Sequence, residues 1–181
     1  LFRTAVFPRL RDGRKVMLLV LDNLRYDQWR IISQDLADDF DMEEDLYFSI
    51  LPTATQYARN AIFSGLMPLQ IRERYPHLWV DEEEDEGKNL NEEELIRTHL
   101  ERLRRKEEFT YTKLNDSVAA EKFLSGVRSM PLAPLSVMVI NFIDILSHAR
   151  TESKMVRELA SNEAAYRSIT QSWFRHSSMK E

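Results

Sequence analysis

Residues 15–29 read Lys-Val-Met-Leu-Leu-Val-Leu-Asp-Asn-Leu-Arg-Tyr-Asp-Gln-Trp. Gly13 precedes an apolar run of strand formers, Val16–Leu21, and Asp22-Asn23 closes it. A short run that is apolar on both faces predicts a parallel strand buried between helix layers. Tyr26, Trp29, Ile32 and Leu36 then recur at helical spacing, which predicts a helix over 25–38. A strand followed by a helix is the building unit of an α/β layer fold.

The same order returns near the other end. Residues 135–143, Leu-Ser-Val-Met-Val-Ile-Asn-Phe-Ile, predict a second buried strand running up to Asp144. Met155, Leu159, Ala164, Ile169 and Trp173 predict one long helix over 152–174. Between these ends, residues 46–51 predict a short strand closed by Pro52. Thr53-Ala54-Thr55 opens a helix over 55–64, with Gly65 just past its end. Residues 67–75 predict a shorter helix or turn, 109–114 a strand and 118–127 a helix. Residues 91–106 form a charged helix with Leu95, Leu100 and Leu103 as its apolar stripe. The acidic run 81–86 predicts a solvated loop, because it repels itself and lacks the central glycine of a calcium loop. Together 81–106 reads as an insertion.

Composition narrows the function. A chain of 181 residues and 21.4 kDa is one domain or a large part of one. The absence of cysteine excludes a disulfide scaffold, a zinc–thiolate site and a cysteine nucleophile. Four scattered glycines, Gly13, Gly65, Gly87 and Gly126, cannot make a Walker loop or a dinucleotide fingerprint. The apolar runs fall far short of the ~20 residues that span a bilayer, and the arginine-containing, Pro8-broken stretch 1–10 does not read as a signal sequence. A net charge of -5 gives no overall pull toward nucleic acid. The expectation is a cytoplasmic domain whose metals, if any, take oxygen and nitrogen ligands.

Sites in open α/β sheets lie outside the carboxyl ends of the strands. Asp22 and Asp144 fall there, and His148, four residues after Asp144, shares its face on a helix. Taken alone, that pair also reads as a capping aspartate and a surface histidine. Thr55 stands at a helix amino terminus, where backbone N–H groups and the dipole favour an anion, although on local grounds alone it reads as an ordinary N-cap. Arg59, one turn on, would meet the same anion or face solvent. Tyr57 and Trp29 suit core packing or a pocket wall. His99, in the charged helix, is expected to be exposed.

Three segments carry a resemblance. They are Asp22-Asn23-Leu24-Arg25-Tyr26-Asp27-Gln28-Trp29, then Leu51-Pro52-Thr53-Ala54-Thr55-Gln56-Tyr57-Ala58-Arg59-Asn60 continuing to Ser64-Gly65-Leu66-Met67-Pro68, and Asn141-Phe142-Ile143-Asp144-Ile145-Leu146-Ser147-His148-Ala149-Arg150-Thr151-Glu152. These resemble the PglZ domain of the alkaline phosphatase superfamily. They look most like the effector half of PorX-type response regulators, which are associated with type IX secretion in Bacteroidetes.

The resemblance implies a three-layer α/β sandwich with a largely parallel central sheet, incomplete in this chain. It implies that Asp22 ligates one metal ion and that Thr55 is the nucleophile and bridges to that ion. Asp144 and His148 would ligate a second ion. Zinc is the implied metal, and manganese suits the same donors. Asn23 and Arg59 would contact the substrate, a phosphoester or nucleotide, and the threonine nucleophile of the resemblance implies a phosphodiester. A receiver domain, a sensor kinase and a homodimer would be the partners. The superfamily completes its two sites with a later Asp-His pair and a further histidine. After His148 only His176 remains, and His77 and His99 stand in the wrong setting. The chain is therefore expected to be a fragment that holds metal weakly. The alternative is a regulatory interaction domain without catalysis.

Overall fold

The computed structural model describes residues 1–80, 89–127, 129–130 and 133–177. The expected acidic loop at 81–86 lies outside the described residues. The chain opens with a π-helical turn, Phe2–Val6, and α1 (Phe7–Arg11). It continues through β1 (Val16–Leu21), α2 (Tyr26–Ile32), α3 (Thr55–Ser64), α4 (Pro68–Arg74) and α5 (Glu92–Arg102). β2 (Phe109–Leu114), α6 (Ser117–Val127), β3 (Leu135–Ile140), α7 (Phe142–Glu152), α8 (Lys154–Leu159) and α9 (Glu163–His176) follow.

The strands form one sheet in the order β1-β3-β2. Their direction follows from the ladder. The Val16 and Asp22 N–H groups donate to the Pro134 and Ile140 carbonyls, so both strands advance together. The Leu135 and Asn141 N–H groups donate to Glu108 and Leu114 in the same sense. All three strands are parallel, as an α/β layer requires. The central strand β3 is buried almost throughout. As an edge strand, β1 differs from the expectation of burial on both faces: Met17 and Leu19 remain 50% and 44% exposed.

Three other expectations are corrected. Residues 46–51 form no strand. From Tyr47 to Leu51 the backbone makes no hydrogen bond to another described residue, and strand propensity without a ladder partner yields none. The second buried strand ends at Ile140 rather than at 143, so Asp144 sits in the first turn of α7. The long helix over 152–174 is two helices. The Ser153 and Asn162 side chains accept from the Val156 and Ala165 N–H groups, and each cap starts a helix where the periodicity suggested continuity.

The chain divides into two compact units. In the unit of Leu1–Leu18, Leu46–Tyr111 and Leu132–Ser136, α3 packs on α5, and Phe63 of α3 and Leu95, Ile96 and Leu100 of α5 are buried. Each such side chain contributes about 1.5–3 kcal/mol when fully buried. In the other unit, α2 packs on α9, where Gln28 Nε2 donates to Thr170 Oγ1 at 2.7 Å inside the contact. Arg175 grips Asp35 with two bonds of 2.8 Å. Arg25 and Arg150 both lie over the Tyr166 ring. Leu114, Met138 and Ile140 form this unit's core with Leu21, Phe123, Phe142 and Trp173.

Candidate metal centre

β1 and β3 end side by side, because the Asp22 N–H closes their ladder on Ile140 at 3.0 Å. The next residue, Asn23, takes the left-handed backbone at φ 59, which asparagine tolerates better than other side chains. This turn directs Asn23 Nδ2 to Asp144 Oδ1 at 3.4 Å. Asn141 is the N-cap residue of α7, but its side-chain amide donates to Asn115 Oδ1 at 2.8 Å instead of to the helix, tying the β3 and β2 exits together. Asp144 is then the third residue of α7, where the helix dipole favours its negative charge.

One turn later, His148 Nε2 stands 3.7 Å from Asp144 Oδ1. The imidazole is 69% exposed and the carboxylate 28%. An open imidazole beside a half-buried carboxylate, backed by an amide, is a donor set that zinc or manganese accepts. Two such side chains fall one short of the three protein ligands that a catalytic zinc takes. Among the described residues no group of three His, Asp or Glu side chains stands close enough to hold an ion.

Phe142 and Ile145, on either side of Asp144 in sequence, line a groove of about 480 Å³ with Leu114, Asn115, Ile140 and Trp173. Trp173 stacks on Phe142 with centroids 4.2 Å apart and planes 5° from parallel. This groove was not foreseen, because helical spacing assigns Trp173 to a core stripe. The asparagines at both strand exits were the available signal.

Thr55 belongs to the other unit and is the first residue of α3. Its hydroxyl has no partner among the described residues. Arg59, one turn on, is buried, and its Nε donates to Glu92 Oε1. Glu92, itself 0% exposed, also accepts from the Tyr111 hydroxyl at 2.5 Å. Burial, and then that carboxylate, raises the Tyr111 pKa and keeps the phenol protonated. Tyr57 lies tilted against Trp79, and the Trp29 indole donates to Glu44.

His99 corrects the expectation of exposure. It is 2% exposed, lies between Phe2 and Phe7, and has Nδ1 at 2.8 Å from the Phe63 carbonyl. Burial lowers its pKa to about 4. The charge of the helix had suggested solvent, but His99 occurs on the same face as Leu95 and Leu103.

The sequence model of the family described as BREX system PglZ alkaline phosphatase-like domain matches residues 1–178. No curated protein matches the chain.

Proposed function

The chain belongs to the PglZ alkaline phosphatase-like domain family, and on that premise we propose that it is the metal-dependent phosphohydrolase domain of a longer parent protein, acting on phosphodiesters. One observation carries this reading: Asp144, His148 and Asn23 gather at the exits of two adjacent parallel strands. Asp144 and His148 would hold one divalent ion, and Asp22 with Thr55 the other. A divalent ion bound there would stabilise the threonine alkoxide and polarise the phosphoryl group.

The remaining work falls to the chain's own groups. Thr55 has a branched β-carbon that limits its rotamers, which helps hold its oxygen in line with phosphorus. Its hydroxyl proton passes to solvent as the Oγ–P bond forms. The ester P–O bond breaks, and the alcohol leaves protonated from solvent. Water then cleaves the phosphothreonine and restores the hydroxyl. Free N–H groups at the start of α3 would receive phosphoryl oxygens. Asn23 is assigned to the same group, whereas Arg59, buried with its Nε on Glu92, stays inside its own unit. The groove beside Phe142 and Trp173 would take an apolar or aromatic part of the substrate.

A second reading is an inactive regulatory interaction domain of a response regulator, with a receiver domain and sensor kinase upstream. The absence of a third ligand among the described residues favours it. Hydrolysis of bis-p-nitrophenyl phosphate by the parent protein decides between them. Chelation, Asp144→Asn and His148→Ala should each abolish turnover, and zinc or manganese should restore it after chelation. Turnover that survives all three treatments defeats the metal assignment, and a metal-loaded parent without turnover favours the second reading.

A further inference from the structure

Away from the strand exits, the residues that lead into β1 and β2 carry a concentration of positive charge. Arg11 at the end of α1 and Arg104-Arg105-Lys106 after α5 line a shallow groove of about 570 Å³ with Leu103 and Glu107. Arg105 ion-pairs with Glu107 and lies over the Phe7 ring, 4.4 Å from its centroid. No carboxylate among the described residues pairs with Arg11, Arg104 or Lys106. The chain as a whole is acidic, so this groove locally reverses its sign.

The backbone at Arg104 adds an independent observation. α5 ends with the Arg105 N–H on the Leu100 carbonyl and the Arg104 N–H on Glu101, both at 2.9 Å. That is a Schellman cap, whose left-handed position is usually glycine. Here it is Arg104, at φ 54. An L side chain in this conformation strains the backbone. Arg104 thus adds a third cation without a carboxylate partner among the described residues, where glycine would add none.

We propose that this groove binds the phosphodiester backbone of nucleic acid. Its walls offer one half-buried aliphatic side chain, Leu103, and no aromatic face. An acidic peptide without an apolar anchor gains little from exposed ion pairs. A membrane surface would require an apolar face to insert. A nucleic acid instead gains from counterion release at every phosphate neutralised, and guanidinium forks match phosphate oxygens two at a time. The contact is with the backbone alone, so it is independent of base sequence.

The test is fluorescence anisotropy of a labelled dT20 strand with the full chain across a salt series. Three free cations predict a slope of log affinity against log salt of about -2, at roughly 0.7 per contact on a single strand. Affinity should then fall about 20-fold between 50 and 200 mM salt. Arg104→Gly removes the charge and relieves the left-handed strain. It should therefore lower the slope by about 0.7 while leaving the thermal midpoint unchanged or higher. Arg11→Gln should lower the slope by the same amount. Failure to bind dT20 at 20 mM salt overturns the proposal, as does an unchanged slope in both variants. Equal competition by polyglutamate of matched charge overturns it in favour of an acidic protein partner.

Discussion

Replacing Gly65 with alanine should destabilise the unit that contains α3 and α5 by about 2–5 kcal/mol. Two structural contributions make up that figure. Gly65 caps α3 in the left-handed conformation at φ 62, where an L side chain costs roughly 1–2 kcal/mol. A Cβ there would also lie 2.5 Å from both Cε1 and Nε2 of His99. The imidazole cannot swing away, because Phe2 and Phe7 hold it and its Nδ1 is bonded to the Phe63 carbonyl. Overpacking of this kind typically costs about 1–3 kcal/mol. Urea unfolding of wild type and Gly65→Ala, followed by tryptophan fluorescence, measures the sum. Repeating the substitution in a His99→Ala background removes the clash and should leave only the strain, roughly 1–2 kcal/mol. A total loss below about 1 kcal/mol, or the same loss in both backgrounds, would refute the account of how this helix end is packed.

Further consequences concern the two buried polar groups beside that helix. His99 has a folded-state pKa of about 4 against 6.5 in the unfolded chain, so the unfolded state binds a proton first. Its contribution is complete above pH 6.5 and is lost as pH falls toward 4, by about 3 kcal/mol. Urea midpoints of wild type and His99→Gln across that window should diverge in slope accordingly, and parallel slopes would contradict the assignment. Glu92→Ala should cost about 3–5 kcal/mol, since it leaves the buried Arg59 guanidinium without its carboxylate. Tyr111→Phe removes only one bond to Glu92 and should cost about 1–3 kcal/mol by the same assay.

Much of the fold was legible because two of the three strands are short, apolar and punctuated. Val16–Leu21 and Leu135–Ile140 stand between turn residues and helical periodicity, and local signals of that kind need no tertiary information. The boundaries that failed depend on partners. Residues 46–51 have the composition of a strand, but pairing is non-local, and from Tyr47 to Leu51 no described residue supplies a backbone partner. The break between α8 and α9 turns on two capping side chains, a choice that apolar spacing does not register. At the site, the spacing of Asp144 and His148 placed them correctly on one helical face, 3.7 Å apart. The Asn23 amide that joins Asp144 was not legible, because it arises from the parallel pairing of β1 with β3. His99 was misjudged because helix composition is an average, whereas burial is decided by the face.

The central claim is that Thr55 supplies the nucleophile of a phosphohydrolase. Turnover of a phosphodiester by the metal-loaded parent protein, compared between wild type and Thr55→Ala with the zinc content of each measured alongside, tests it most directly. The account predicts a fall in turnover of more than about 1000-fold with the fold and metal content retained, as expected when a covalent nucleophile is deleted. Turnover unchanged within a few fold in a folded, metal-loaded Thr55→Ala protein would contradict it.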